Sequence, residues 1–304
     1  MLASLEGLDH VVVMAHDLAL AADNWRALGF TVSPRGTHSA HVGTGNHTIM
    51  FDTDYVELMG ILTDTDLNAP GRDFLQRRGD GLERAAFTTS DAAAGAAALR
   101  SRGLEALGPV EFSRPVSLPG GAEAKAAFSV FHWPNTERPA DIRLFACQHH
   151  SRDAVWIAAL QSHPNTATGI VRLVLVTPVP QADAARLASL IDSQALPDGA
   201  AARVPTGPGR AEFVFMSQTE FLARHPGARQ EELPQTGAAA LVLRVNDLEA
   251  AARAAGTAAA RDATSVTVAA GRANGVILVF EQAAQTAAEI RPGPGDRSPS
   301  SRPA

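Results

Sequence analysis

Two residues of complementary chemistry stand well apart in the chain, His10 and Glu57. An imidazole and a carboxylate that meet in a fold make a donor pair suited to Fe, Mn, Ni or Zn. Both sit in runs that alternate as strands do. Leu8, His10 and Val12 share one face, and Tyr55, Glu57 and Met59 share another. The plainer alternative is that His10 only hydrogen-bonds a neighbour and that Glu57 pairs with an arginine. Asn46 and His47 follow Gly43-Thr44-Gly45. A glycine-rich loop cradles phosphate when it opens a helix. This one opens a strand, so it reads better as a tight turn that aims Asn46 and His47 into a cleft, with a plain surface turn as the alternative. His16, His38, His41 and His225 fall in loops or caps and are assigned no role. Cys147 is the only cysteine, read as a core residue, so no intrachain disulfide is expected. There is no Gly-x-Ser-x-Gly elbow, no P-loop and no His-Glu-x-x-His.

The elements that must carry these residues repeat. Gly7-Leu8-Asp9-His10-Val11-Val12-Val13 leads to Asp17 and then Gly29. Gly81-Leu82-Glu83-Arg84-Ala85-Ala86-Phe87 leads to Asp91 and then Gly103, at the same spacing without a gap. Each copy reads as a strand, an Asp that caps a helix, the helix, and a Gly stop. Strands are predicted after the first helix at 30–35, 47–51 and 55–61, and after the second at 110–112, 125–132 and 142–148. A weaker pair of copies follows. It has strands at 170–177, 212–216, 239–245, 266–269 and 276–281, and helices at 181–192 and 248–255. The class is α+β, with the order strand, helix and three strands repeated. The organisation expected is a first domain over 1–150 with two such modules, a connector over 151–168, a more divergent domain over 169–282, and a disordered tail over 283–304.

The 304 residues allow two domains, and a hydrophobic content of 45% is enough for a sizeable core. With a net charge of −6 and Lys125 as the only lysine, no basic patch could track a phosphate backbone, so nucleic acid is not an expected partner. No apolar run is long enough to cross a membrane, and the N-terminus lacks the layout of a secretory signal. A cytoplasmic location is expected.

Four motifs carry a family likeness: Leu8-Asp9-His10-Val11-Val12-Val13, Gly43 to Phe51, Tyr55-Val56-Glu57-Leu58-Met59-Gly60, and Leu144-Phe145-Ala146-Cys147-Gln148-His149. Together they resemble the vicinal oxygen chelate superfamily, which holds glyoxalase I, extradiol dioxygenases and the fosfomycin- and bleomycin-resistance proteins. The likeness is greatest to its glyoxalase-like domain proteins. It covers residues 8–282 and is strong in the first half and weak in the second. It implies tandem βαβββ modules curled into half-open mixed-sheet barrels. A divalent metal would sit inside, held by His10 and Glu57 and chelated by two oxygens of the substrate. The partner module should add ligands, and here the sequence departs. The repeat places Arg84 opposite His10 and Phe145 opposite Glu57, and neither side chain ligates. His149, four residues past Phe145 on the same strand face, is the best substitute, with a strand-end cap as the alternative. His132 is a weaker candidate. Arg84 could instead bind an anionic substrate through its fork of donors, or pair with Glu57 across the cleft. In the second half Ala240 stands where His10 does, and Glu281 reads as a solvated strand end. That half is expected to close the barrel or form an interface, and a homodimer is possible.

Three functions compete, one of them a scaffold with no small ligand whose long second half supports dimerisation. In another, a metal on His10, Glu57 and His149 acts as a Lewis acid on a small oxygenated molecule in a lyase, isomerase or dioxygenase-type reaction. In the third, the cleft is metal-free and sequesters a small molecule that Arg84 holds by its charge.

Overall fold

The computed structural model describes residues 1–117 and 123–282. The predicted tail lies outside them. The first sheet is built from β1 (Leu5–Ala15), β2 (Gly36–Thr37), β3 (Thr44–Met50), β4 (Tyr55–Ile61), β5 (Gly81–Thr89), β6 (Leu107–Ser117), β7 (Glu123–His132) and β8 (Arg143–His149). Their order is β2-β3-β4-β1-β5-β8-β7-β6. The two repeat strands β1 and β5 lie antiparallel at the centre, and each has its module's last strand parallel beside it. The second sheet repeats this plan with β9 (Ala167–Val176), β10 (Leu196–Asp198), β11 (Ala201–Pro205), β12 (Glu212–Met216), β13 (Gly237–Val245), β14 (Ala260–Arg261), β15 (Ser265–Val268) and β16 (Ile277–Gln282). This is the α+β, glyoxalase-like arrangement.

Helices α1 (Leu18–Ala27), α3 (Ala92–Ser101), α4 (Pro180–Ile191) and α6 (Leu248–Ala255) follow the first strand of each module. The capping aspartates act as the repeat predicts. Asp17 accepts from the N–H groups of Ala19 and Leu20, Asp91 from Ala94, and Asp247 from Glu249 and Ala250. Gly29 and Gly103 end their helices at positive φ. The buried faces of these four helices and one face of both sheets join in a single apolar core that runs from Leu2 to Phe280. Phe87 stacks on Phe213 across it, with centroids 5.9 Å apart.

The other face of each sheet lines a cup. Two helices outside the repeat sit over these cups: α2 (Ala69–Arg78), through Phe74 and Leu75, and α5 (Gln218–Arg224), through Phe221. Both join the two modules of their sheet.

One predicted strand does not form. Residues 30–35 pair only through Ser33, whose N–H donates to the Thr48 carbonyl at 2.9 Å. Thr48 returns its N–H to the Ser33 hydroxyl rather than to backbone, and Pro34 has no N–H to give. The edge strand therefore shrinks to Gly36–Thr37.

Candidate functional site

A bulge sets up the first cup. Pairing of β1 with β5 shifts register between Leu8 and His10, so Asp9 is not aimed into the apolar core as strict alternation would require. It is fully buried and bonded on every side. Thr88 donates its hydroxyl to Oδ2 at 2.8 Å, His149 places Nε2 3.1 Å from the same oxygen, and His10 places Nδ1 2.6 Å from Oδ1. Burial alone would raise the carboxyl pKa. The hydrogen bonds from His10 and His149 outweigh it and hold Asp9 well below the usual carboxylate range. Asp9 is therefore an anion that can only accept, and His10 must donate from Nδ1. In the neutral ring, Nε2 is left as a bare acceptor.

That bare nitrogen faces another acceptor. The nearer carboxylate oxygen of Glu57, Oε2, is 3.7 Å from His10 Nε2. The gap is too long for a hydrogen bond between them. Glu57 is itself held, since Oε1 accepts from the Asn46 amide at 2.6 Å. His38 approaches Oε1 with Nε2 at 4.0 Å, and its Nδ1 lies 2.7 Å from the Thr44 hydroxyl. Burial lowers the His38 pKa; Glu57 opposes the shift, while Arg114 and Arg84 add to it. With the ring neutral, two clamped electron-pair donors thus face each other across 3.7 Å.

The walls are apolar and aromatic. Tyr55 stacks on His10 at 4.3 Å, Phe145 meets it edge-on at 5.2 Å, and Trp156 abuts Tyr55 at 5.5 Å. Met14, Met59, Phe74 and Leu75 pack around Val12 toward the other end. Burial pushes the Tyr55 phenol well up. The His10 and Glu57 side chains are buried, at 3% and 9% exposed.

Toward the opening the cup turns cationic. Glu83 is shared by Arg84 and Arg143; the Arg143 contact is 2.8 Å. The two arginines are 18% and 16% exposed, against 2% for the glutamate, and together the three side chains carry one net positive charge. His132 stacks on Phe145 beside them. Burial, with Arg84 and Arg143, drives its pKa down to about 4.

The sequence-derived candidates are sorted by this geometry. His10, Glu57 and Asn46 come together. Arg84 lies across from Val12, two residue pairs from His10, but its ion pair is with Glu83 and not with Glu57. Phe145 does take the place in the second module that Glu57 has in the first, pairing with Ala86 as Glu57 pairs with Val12. His149 does not reach Glu57. It bonds Asp9 from behind His10, and its own Nδ1 is buried without a partner. His47 does not enter the cup, because neighbours on a strand face opposite ways; its Nδ1 lies 2.7 Å from the Ser33 carbonyl oxygen. Asp9, His38 and Tyr55 are site residues that sequence reasoning passed over. The Asp-His dipeptide on a strand was the available signal for Asp9. Nothing local marks His38, which a loop brings in.

The donor chemistry was tested against a metal. His10 is oriented through Nδ1 by a carboxylate, as ligating histidines are, and Glu57 supplies an oxygen. Among the described residues, however, no group of three or more His, Cys, Asp or Glu is placed to hold an ion. His10 and Glu57 would supply two of its ligands.

A family model described as a glyoxalase-like domain matches residues 8–191. Comparison with curated proteins finds no match. A hypothetical protein from Staphylococcus aureus is 12% identical, with 91% of this chain and 99% of that one covered at a TM-score of 0.67. A mutant of 4-hydroxymandelate synthase from Streptomyces coelicolor is 14% identical, with 92% and 93% covered at 0.53. Methylmalonyl-CoA epimerase from Mycobacterium tuberculosis is 19% identical, with 51% and 96% covered at 0.39. At these identities the likeness concerns the fold. No helix among the described residues is long and apolar enough to cross a membrane.

Proposed function

Because the chain belongs to the glyoxalase-like domain family, we propose that its first cup binds a small, oxygenated, anionic molecule and that His10 and Glu57 move a proton on it. The observation that carries this reading is the 3.7 Å apposition of His10 Nε2 and Glu57 Oε2, each held by another partner. A substrate C–H or O–H that approaches the pair from the cup meets two bases at once. His10 takes a proton from carbon next to a carbonyl, and the Asp9 anion stabilises the imidazolium that forms. Return of a proton to another position gives an isomerisation, and loss of a neighbouring group gives a lyase step. Asn46 keeps the Glu57 carboxylate aimed inward. The cationic rim of Arg84 and Arg143 favours a carboxylate on the substrate, because guanidinium forks match its two oxygens.

The second reading is sequestration without turnover, supported by the apolar walls and the low exposure of the site. A divalent ion would need substrate or solvent to complete its shell. Proton NMR in D2O on a set of 2-oxo and 2-hydroxy carboxylic acids tests these readings, with protein both chelator-treated and supplied with Fe, Mn, Ni or Zn. The expected result is carbon-bound proton exchange that falls roughly 10²- to 10⁴-fold in His10→Gln or Glu57→Gln. Exchange only in metal-supplied protein makes the ion part of the site. Binding without exchange in every case assigns sequestration instead.

A further inference from the structure

The second cup encloses a hollow of about 460 Å³ that the first-cup reading does not use. Its chemistry differs from that of the first cup at matching positions. Arg172 pairs with Glu212 on the parallel neighbour and with Val242 on the antiparallel one, as His10 pairs with Tyr55 and Ala86, and the bulges fall alike. So Arg172 stands where His10 does, Glu212 where Tyr55 does, and Val214 where Glu57 does. The second cup cannot repeat the proton chemistry of the first.

It has instead a belt of alternating charge. Across β10, β11, β12, β9 and β16 run Asp198, Arg203, Glu212, Arg172 and Glu281, and Arg224 closes the belt from the end of α5. Arg203 bonds Glu212 at 2.9 Å, Arg224 bonds Asp198 at 2.6 Å, and Arg172 bonds Glu281. Three cations face three anions along the belt, and Arg224 also bonds Glu220 at 2.7 Å beside it. Burial lowers the pKa of the adjacent His225, which keeps that ring neutral near pH 7. The floor is apolar: Val174, Val214 and Met216.

We propose that this hollow is a second binding site, for a small zwitterion of the amino-acid or dipeptide class. The belt offers both signs side by side to one ligand. Arg172 and Arg203 each give one N–H group to their carboxylate, which leaves donors of the fork for a ligand carboxylate. Glu212 and Glu281 keep lone pairs for a ligand ammonium. The apolar floor suits an aliphatic side chain, and the hollow is within the size range of small-molecule pockets.

Calorimetric titration of the full chain with glycyl-L-leucine tests this. The comparison set removes one charge at a time: the N-acetylated dipeptide, its C-terminal amide, and the doubly blocked form. Glycyl-L-leucine is expected to bind, with each blocked form weaker by roughly tenfold or more, as for loss of a charge-assisted hydrogen bond. Arg172→Gln and Arg203→Gln should each weaken it comparably while melting curves show both variants folded; two variants guard against one failing to fold. Glu57→Gln should leave this binding unchanged. Failure of glycyl-L-leucine to bind, equal binding of the doubly blocked form, or binding insensitive to both arginine variants overturns the proposal. Loss in Glu57→Gln alone would move the ligand to the first cup and overturn it as well.

Discussion

Asp9 decides what His10 can do. Its ionised carboxylate accepts a hydrogen bond from Nδ1–H, so the ring offers Nε2 to the cup. Asp9→Asn keeps the shape but can turn an amide N–H toward Nδ1, which favours the opposite tautomer. Exchange activity is expected to fall roughly 10²-fold with the fold retained, since an orienting partner of a catalytic histidine is worth about that much. Exchange rates and a circular dichroism melt check the two parts. At this scale the sequence was half legible. Alternation brought His10 and Glu57 to facing strands and Asn46 beside them. It could not show the bulge that turns Asp9 inward, because one unpaired residue leaves no mark in composition. It also could not place His38, whose loop is positioned by contacts distant in sequence. Arg84 was legible as lining the cup, but its pairing with the adjacent Glu83 was not, because neighbours on a regular strand face opposite ways.

The hairpin between β3 and β4 is an element with a job beyond the first sheet. Asp54 is 3% exposed, and its Oδ1 accepts the Ile170 N–H at 3.0 Å, tying the hairpin to β9. Burial raises its pKa from the ordinary 3.8 to about 7, against the lowering effects of that N–H and Arg210. A carboxyl whose folded pKa is raised stabilises the fold while protonated. Its contribution is fully present below about pH 3.8 and is lost as pH rises through about 7. Asp54→Asn keeps the acceptor and removes the titration. Its melting temperature should exceed that of the wild type at pH 8, and the difference should vanish toward pH 4. Thermal melts across that range check the sign. The capping aspartates are a second element-scale test. Asp17→Ala frees two N–H groups of α1 and should cost about 1 kcal/mol, read by denaturant titration. These caps were visible as soon as the repeat was seen. Helices α2 and α5 were not, because they lie outside the repeat, and Pro70 and Gly71 in the first turn of α2 obscure its pattern.

The two sheets share one core between them. Leu8 donates its N–H to the Thr206 hydroxyl at 2.9 Å, and Trp133 donates Nε1–H to the Leu190 carbonyl at 3.2 Å, so polar ties as well as Phe87 on Phe213 join the sheets. Phe213→Ala should cost about 3–5 kcal/mol. With a continuous core, both sheets should melt together in one calorimetric transition. Two separate transitions would show the halves to be independent. The architecture was legible from sequence because repetition is a property of spacing. The division of labour was not. The first cup gathers His10, Glu57 and aromatic rings, and the second is hollow and belted by charge, because Arg172, Arg203 and Glu212 lie on three strands that only the fold makes neighbours.

Everything proposed for the first cup rests on two acceptors facing each other across 3.7 Å. Ring-nitrogen NMR of His10, assigned by its loss in His10→Gln, measures this most directly. The account predicts a protonated Nδ1 and a bare Nε2. It also predicts that Nε2 moves to a hydrogen-bonded position in Glu57→Gln, whose amide can donate to it. A wild-type ring with the proton on Nε2 and a bare Nδ1 would contradict the account.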